Sequence, residues 1–432
     1  MRYAFLLLVA VVTACNPVKS VREALDHKTP YEKYIRKLED ADLRGRPMVA
    51  DWLAAGERAM NDSVFVQLPL TETGQFLSHE PAARSYRFTV MDGQVLKVSG
   101  MTTATADARI FMDIFTLEDG KWKHQASADS ALALSHEFNR NTTCLLRLQP
   151  ELLVNAYYSL SISLTPVLIN PVSGASNKSI QSFYGDSRDG GKRSHEGVDI
   201  FAKKGTPVIA PADGTISRTG LTRLGGKVVW MHDKKRHHSY YFAHLDSQFV
   251  TAGLSVRQGD TLGTVGNTGN ARFTPPHLHF GIYQSRSKDP LYYIRTLDAA
   301  EPAIIDTAFR INVYRVARNN QKLMSGPNAK DVSIRSLNKD SYVRVIARSG
   351  DWYRVALPDH IEGYLPLRSV TAAMSGVTKK LIADKTVTLH PRSESTIMNF
   401  LPRDTPVEVL ARTDGFEYVR IPNGGHGWID TR

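Results

Sequence analysis

Sulfur is scarce in this chain. Of 432 residues, only Cys15 and Cys144 are cysteines, too few for a disulfide framework. Long apolar runs are missing as well: the stretch from Tyr3 to Val12 falls short of the roughly 20 apolar residues a bilayer-spanning helix needs. Acidic residues are in deficit, 43 against 54 lysines and arginines, for a formal charge of +11. That balance favours encounter with anionic surfaces such as cell-wall polymers, lipid head groups or nucleic acid. No nucleic-acid fold signature accompanies the charge, so no nucleic-acid partner is expected. With 42% hydrophobic and 22% charged residues the chain has the composition of a folded protein rather than a disordered one. Its length predicts three or four domains.

The first residues combine a basic start, Met1-Arg2, a short apolar core and small residues, Val12-Thr13-Ala14-Cys15, the marks of an export signal over 1–14. Small residues set directly against a cysteine resemble a bacterial lipobox. The resemblance implies a lipid on Cys15 and attachment to the cell envelope. Asn16 is compatible with the outer membrane if the cell has two. Cys144, in Thr142-Thr143-Cys144-Leu145-Leu146, then has no partner and reads as a small buried apolar residue.

Residues 15–62 read as helical. Thr29-Pro30-Tyr31-Glu32 supplies an N-cap, a proline at the first helical position and the glutamate of a capping box, and a second helix is predicted near Met48 to Met60. These helices are expected to pack on the following domain. Over 63–165 the periodicity becomes two, with strands predicted at Val64–Leu68, Ala83–Val90, Val95–Gly100, Ala108–Thr116, Thr143–Leu148 and Tyr157–Leu164. That rhythm suggests an accessory β-sandwich. The fold class is therefore mainly β and multidomain.

The chemistry is concentrated between His195 and His279. His277-Leu278-His279 sits among Phe280, Ile282 and Tyr283, a strand pattern in which alternate side chains share a face, so both histidines look into one cavity. Asp199 opens the apolar run Val198 to Ala202, where an unpaired carboxylate is costly. A metal ion is a suitable partner. Zinc takes imidazole and carboxylate ligands at about 2.0–2.2 Å and in catalytic sites keeps one position open for water.

At these residues the sequence resembles the lysostaphin-like (LytM-type) zinc endopeptidases, which cut peptide bonds in bacterial peptidoglycan. The resemblance covers roughly Pro166 to Ile294, within a catalytic domain expected over 166–296. It rests on His195-x-x-x-Asp199, the small-residue segment Gly205 to Gly214, Tyr241-Phe242-Ala243-His244-Leu245, the turn-rich Gly263 to Gly269 and Pro276-His277-Leu278-His279-Phe280. It implies an antiparallel β catalytic domain holding one zinc ion on His195, Asp199 and His279, with His244 and His277 as catalytic histidines. His277 is then the favoured general base and His244 the oxyanion stabiliser, and the two roles can be exchanged. One departure stands out: where the family has Thr-Gly-Pro before the His-x-His, this chain has Phe273-Thr274-Pro275-Pro276. Two alternatives remain, a catalytically silent wall-binding scaffold or amidase activator, and a zinc peptidase acting on glycine-rich extracellular proteins.

The charged turn Lys234-Lys235-Arg236-His237-His238 reads as a solvated hairpin tip, with His238 about 20 Å along its strand from His244. Residues 297–308 read as linker. The remainder matches itself at an offset of 64 residues: Leu337 falls on Leu401, Asp340 on Asp404, Val345 on Val409, Trp352 on Phe416, Gly363 on Gly427 and Tyr364 on Trp428. So long an ungapped match implies two copies of one unit, over 309–372 and 373–432. Each copy resembles a bacterial SH3-type barrel, which implies wall binding. Trp352, Tyr364, Phe416 and Trp428 are expected to fill the barrel cores.

Overall fold

The computed structural model describes residues 28–61, 64–105, 108–129, 131–302, 304–382, 384–388 and 397–431. The export signal, Cys15 and residues 16–27 lie outside the described residues. The fold is mainly β, as its alternating patterns suggest.

Helices α1 (Pro30–Asp40) and α2 (Pro47–Asn61) come first. The capping box closes as its spacing requires: Glu32 N donates to Thr29 Oγ1 at 3.1 Å and Thr29 N to Glu32 Oε2 at 2.8 Å. Tyr31, Leu38, Val49 and Trp52 then bury their shared face against Phe111. Trp52 also donates its indole N–H to the Pro150 carbonyl at 2.7 Å, so the helices are pinned to the sandwich by polar as well as apolar contact.

Nine strands follow: β1 (Val64–Phe65), β2 (Leu70–Phe76), β3 (Arg84–Val90), β4 (Gln94–Thr102), β5 (Ile110–Glu118), β6 (Lys121–Ala128), β7 (Ala133–Glu137), β8 (Thr142–Pro150) and β9 (Ala156–Pro166). One sheet runs β1-β3-β8-β5-β6, and β2-β9-β4-β7 belong to another. Cys144 is fully buried in the core between them, and burial pushes its thiol pKa up. Strands β2, β6 and β7 escape the sequence pattern. β6 is largely exposed on both faces, so nothing enforces alternation. β2 buries Glu72 and Gln75 where apolar residues would be expected.

The reason lies far along the chain. β2 pairs on its other side with the strand Tyr342–Ser349, Thr73 opposite Arg348 and Gly74 opposite Ala347, so the sandwich sheet continues into the first C-terminal repeat. Glu72 faces that junction. It accepts hydrogen bonds from the hydroxyls of Tyr86 and Tyr364 at 2.6 Å each, and Arg354 Nη1 lies 3.4 Å away. Arg354 in turn donates to the Ser85 carbonyl at 2.9 Å and to Glu362 Oε2 at 2.8 Å. A fully satisfied network of this kind is the condition under which a charge pair can stay buried.

The two repeats fold alike. Strands Gln321–Met324, Ser333–Leu337, Trp352–Ala356 and Glu362–Pro366 recur at Lys385–Thr388, Ile397–Leu401, Phe416–Arg420 and His426–Asp430, each repeat with its own core. Asp340 and Asp404 both adopt φ 64°. The aromatic residues do not all fill those cores, contrary to expectation. Tyr364 packs in the core of the sandwich, Trp352 against it, and the Trp428 ring packs at a tilt on Tyr342 of the first repeat, 4.7 Å between centroids. Equivalent side chains thus dock each repeat onto the unit before it.

Between sandwich and repeats lies the domain spanning the His/Asp motifs. Its principal sheet orders Ile180–Ser182, Val198–Phe201, His277–Tyr283, His238–Leu245, Gly226–Asp233, Gly214–Thr222 and Ser255–Val256, all antiparallel. One face carries the core, Val198, Ile200, Tyr240, Phe242, Leu278, Phe280 and Ile282. The other face is left for function. The hairpin tip is not solvated throughout, a correction to the sequence reading. Lys234, Lys235 and His237 are exposed, but Arg236 reaches the sandwich and forms a two-pronged pair with Glu137 at 2.6 and 3.1 Å. Asp92 adds bonds to Lys288 and Tyr293, 2.6 Å each. The would-be linker is also engaged: Leu297 packs against the sandwich core and the Glu301 carbonyl accepts from Thr71 and Ser161. The sandwich therefore grips the end of the sheet remote from His244.

Candidate metal centre

Antiparallel register assembles the site. Asp199 stands directly opposite His279, which stands opposite Ala243 on the next strand, so the three share the open face of the sheet. His195 enters from a loop whose backbone is tied at both ends, His195 N to the Asp186 carbonyl and Gly185 N to the His195 carbonyl, 2.8 Å each. Gly197 makes room for this convergence: a Cβ there would lie 2.5 Å from the Phe280 carbonyl oxygen and 2.8 Å from the His279 ring.

The result is a cluster of three donors. His195 Nε2 lies 3.0 Å from Asp199 Oδ1 and 2.9 Å from His279 Nδ1, and His279 Nδ1 lies 3.1 Å from the same Asp199 oxygen. Ligands about 2.0–2.2 Å from a tetrahedral cation stand roughly 3.3–3.6 Å apart, so the triangle needs only slight expansion to hold one. Tautomers fit too. A carbonyl oxygen can only accept, so the tautomer in which His195 Nδ1 donates to the Phe183 carbonyl at 2.8 Å leaves Nε2 a lone pair for a metal. Burial lowers the pKa of His279, which favours the neutral, ligating form. Burial raises that of Asp199, but the neighbouring His195 and His279 outweigh it and hold the carboxyl below the usual range.

His244 and His277 stand beside the cluster. Their rings are 5.1 Å apart, and the His244 ring is 6.1 Å from that of His279. His277 Nδ1 donates to the Pro275 carbonyl and His244 Nδ1 to the Thr268 carbonyl, both at 2.9 Å, so in the neutral form each ring keeps a lone pair at Nε2. Strand parity alone would send His244 to the core with Tyr240 and Phe242. Its backbone instead takes φ 62°, the left-handed region that costs a non-glycine residue about 1–3 kcal/mol and clusters at functional sites. Sequence periodicity carries no sign of this turn. Nor does it flag Arg188, whose Nη2 lies 3.0 Å from Asp199 Oδ2. His238 stays at the sandwich end of its strand. Phe273, in the loop that departs from the family pattern, is 91% exposed.

Burial pushes the His244 pKa down to about 4. The sign follows from linkage. The unfolded chain takes up this proton near pH 6.5, the native one only near 4, so stability is fully present above about pH 6.5 and is lost progressively as pH falls toward 4. The metal-free protein should unfold at lower urea concentration at pH 5 than at pH 7, and His244→Gln should flatten that dependence. An unchanged slope in the variant would show that His244 titrates as an ordinary surface histidine.

Comparison with known proteins agrees with the geometry. Residues 193–290 match the model of peptidase family M23. The chain is 34% identical over 144 residues to an L-Ala–D-Glu endopeptidase of Bacillus subtilis (strain 168), covering 30% of this chain and 44% of that protein. It is 36% identical over 88 residues to the peptidoglycan DD-endopeptidase ShyC of Vibrio cholerae, 20% of each chain. Among solved structures, the catalytic domain of the antimicrobial peptidase lysostaphin from Staphylococcus simulans aligns at 32% identity over 26% of this chain and 87% of that one, with a TM-score of 0.24. The chain thus spans less than half the length of these curated relatives.

Proposed function

We propose that this chain, whose residues 193–290 form a peptidase family M23 domain, is a zinc-dependent endopeptidase that hydrolyses peptide bonds in peptidoglycan. The observation that carries the reading is the cluster itself, three donor atoms 2.9–3.1 Å apart with two further histidines facing the same space. The names of the relatives support peptidoglycan as the substrate. His195, Asp199 and His279 would hold the zinc ion, which when bound acidifies a water molecule and polarises the scissile carbonyl.

The chain's own residues then manage protons. His277 and His244 both offer a lone pair at Nε2, and either can accept a proton from a hydrogen-bonded water. Burial makes His244 reluctant to hold a proton, which leaves the base to His277. Once protonated, His277 becomes a donor and can deliver that proton to the leaving amine. His244, a pure acceptor at Nε2 while neutral, orients the water or a substrate N–H. An oxyanion role would require a proton on that atom. Substrate lies along the open face of the sheet, past the exposed Phe273.

Attachment to the cell envelope through a lipid on Cys15, and wall binding by the two C-terminal repeats as SH3-type modules, complete the proposal. Purified sacculi digested with the zinc-loaded protein should release muropeptides whose masses identify the bond cut, and a chelator should stop the release. Intact muropeptides from a protein carrying one zinc per chain would overturn the reading.

A further inference from the structure

We infer that Arg188 is a positioning residue that makes Asp199 a one-oxygen ligand. The inference rests on the reading that the His195, Asp199 and His279 cluster holds a metal. The two oxygens of Asp199 have divided partners. Oδ1 faces His195 Nε2 at 3.0 Å and His279 Nδ1 at 3.1 Å, whereas Oδ2 accepts from Arg188 Nη2 at 3.0 Å. A free carboxylate can close both oxygens on one cation. Here the second oxygen is already bound.

An arginine beside a site for a dication raises local repulsion, so its presence calls for a geometric reason. Arg188 is well placed to supply one. It sits in the two-residue strand Ser187–Arg188, paired antiparallel to Arg193–Ser194, and its side chain is 29% exposed. The same Nη2 also contacts Ser182 Oγ and lies 2.9 Å from His195 Nδ1. With that Nδ1 proton directed to the Phe183 carbonyl, Nη2 is left with Ser182 Oγ and Asp199 Oδ2 as its acceptors. Asp186 braces the turn, accepting from Phe183 N at 2.7 Å and Ser182 Oγ at 3.2 Å. A single Nη2 nitrogen shared between Ser182 Oγ and Asp199 Oδ2 holds that carboxylate oxygen away from the cluster by a charge-assisted hydrogen bond. Groups that orient a ligating carboxylate or imidazole typically matter 10–100-fold to affinity or activity.

Cobalt(II) substituted for zinc reports coordination number through its visible absorption. The intact protein loaded with one cobalt per chain should show the intense band of a four-coordinate ion. Arg188→Ala should show a weaker band, as Oδ2 swings onto the metal, and added guanidinium should restore the intensity. Turnover of muropeptides by the zinc form should fall about 10- to 100-fold in kcat with little change in KM. Arg188→Met, close in length but without a donor for Oδ2, should lose intensity in the same direction and serves if the alanine variant does not fold. A cobalt spectrum identical in parent and variants would overturn the proposal. A parent that binds no cobalt would fail earlier, in the stoichiometry, and would take the metal reading with it.

Discussion

Asp199→Ala is expected to abolish both zinc retention and peptidoglycan hydrolysis, whereas His277→Ala should keep its zinc and lose turnover. The contrast comes from where each side chain stands. Asp199 Oδ1 is the vertex shared by the two contacts to His195 and His279. Its removal leaves two imidazoles, deprives the cation of its anionic ligand and loosens the anchor of Arg188. His277 contacts no atom of the cluster through a hydrogen bond. Its Nδ1 is spent on the Pro275 carbonyl, and Nε2 is left for proton transfer, a task worth about 10²–10⁴ in rate. Metal analysis of the two purified variants beside sacculus digestion checks this. Equal zinc loss in both would overturn the division between ligand and base.

The second large effect concerns the body that carries the domain. Arg354→Met should destabilise the joined sandwich and first repeat by about 3–5 kcal/mol, because it strands Glu72 as a buried charge. Both side chains are almost wholly inaccessible, 1% and 0% exposed. Adding Glu72→Gln should recover most of the loss. The amide oxygen still accepts from one of the two tyrosine hydroxyls, the amide NH2 can donate to the other, and the orphaned charge is gone. Urea unfolding of the single and double variants measures both. A single variant within about 1 kcal/mol of the parent would show that the network is not what binds the units.

These two sites differ in how plainly the sequence shows them. The histidines and Asp199 were legible because the chemistry lies in the side chains and strand alternation says which of them share a face. The groups that prepare them were not. The carbonyls of Phe183, Thr268 and Pro275 belong to every residue type and leave no mark in the letters. Arg188 stands next to Asp189 in a polar loop and looks like an ordinary surface charge until the turn brings it to Asp199. His244 obeys the wrong parity until its left-handed backbone re-aims it. In the sandwich, the recurring apolar alternation of β3, β4, β8 and β9 was readable. β2 was not, since a buried glutamate makes sense only beside Arg354, 282 residues away in sequence. Arg236 was misread for a similar reason: a cluster of positive charge at a hairpin tip is normally solvated, and its partner Glu137 lies 99 residues upstream.

The pairing of β2 with the strand Tyr342–Ser349 also bears on biosynthesis. A strand edge without a neighbour is a template for other chains, and contacts between distant segments form late. Thr73 and Gly74 emerge from the ribosome long before Arg348 and Ala347, their register partners. Throughout that interval, and during any passage across a membrane, β2 displays an open edge that the later-made strand Tyr342–Ser349 comes to cover. A holding chaperone, or rapid completion of the polypeptide, is the natural safeguard against aggregation of the nascent protein.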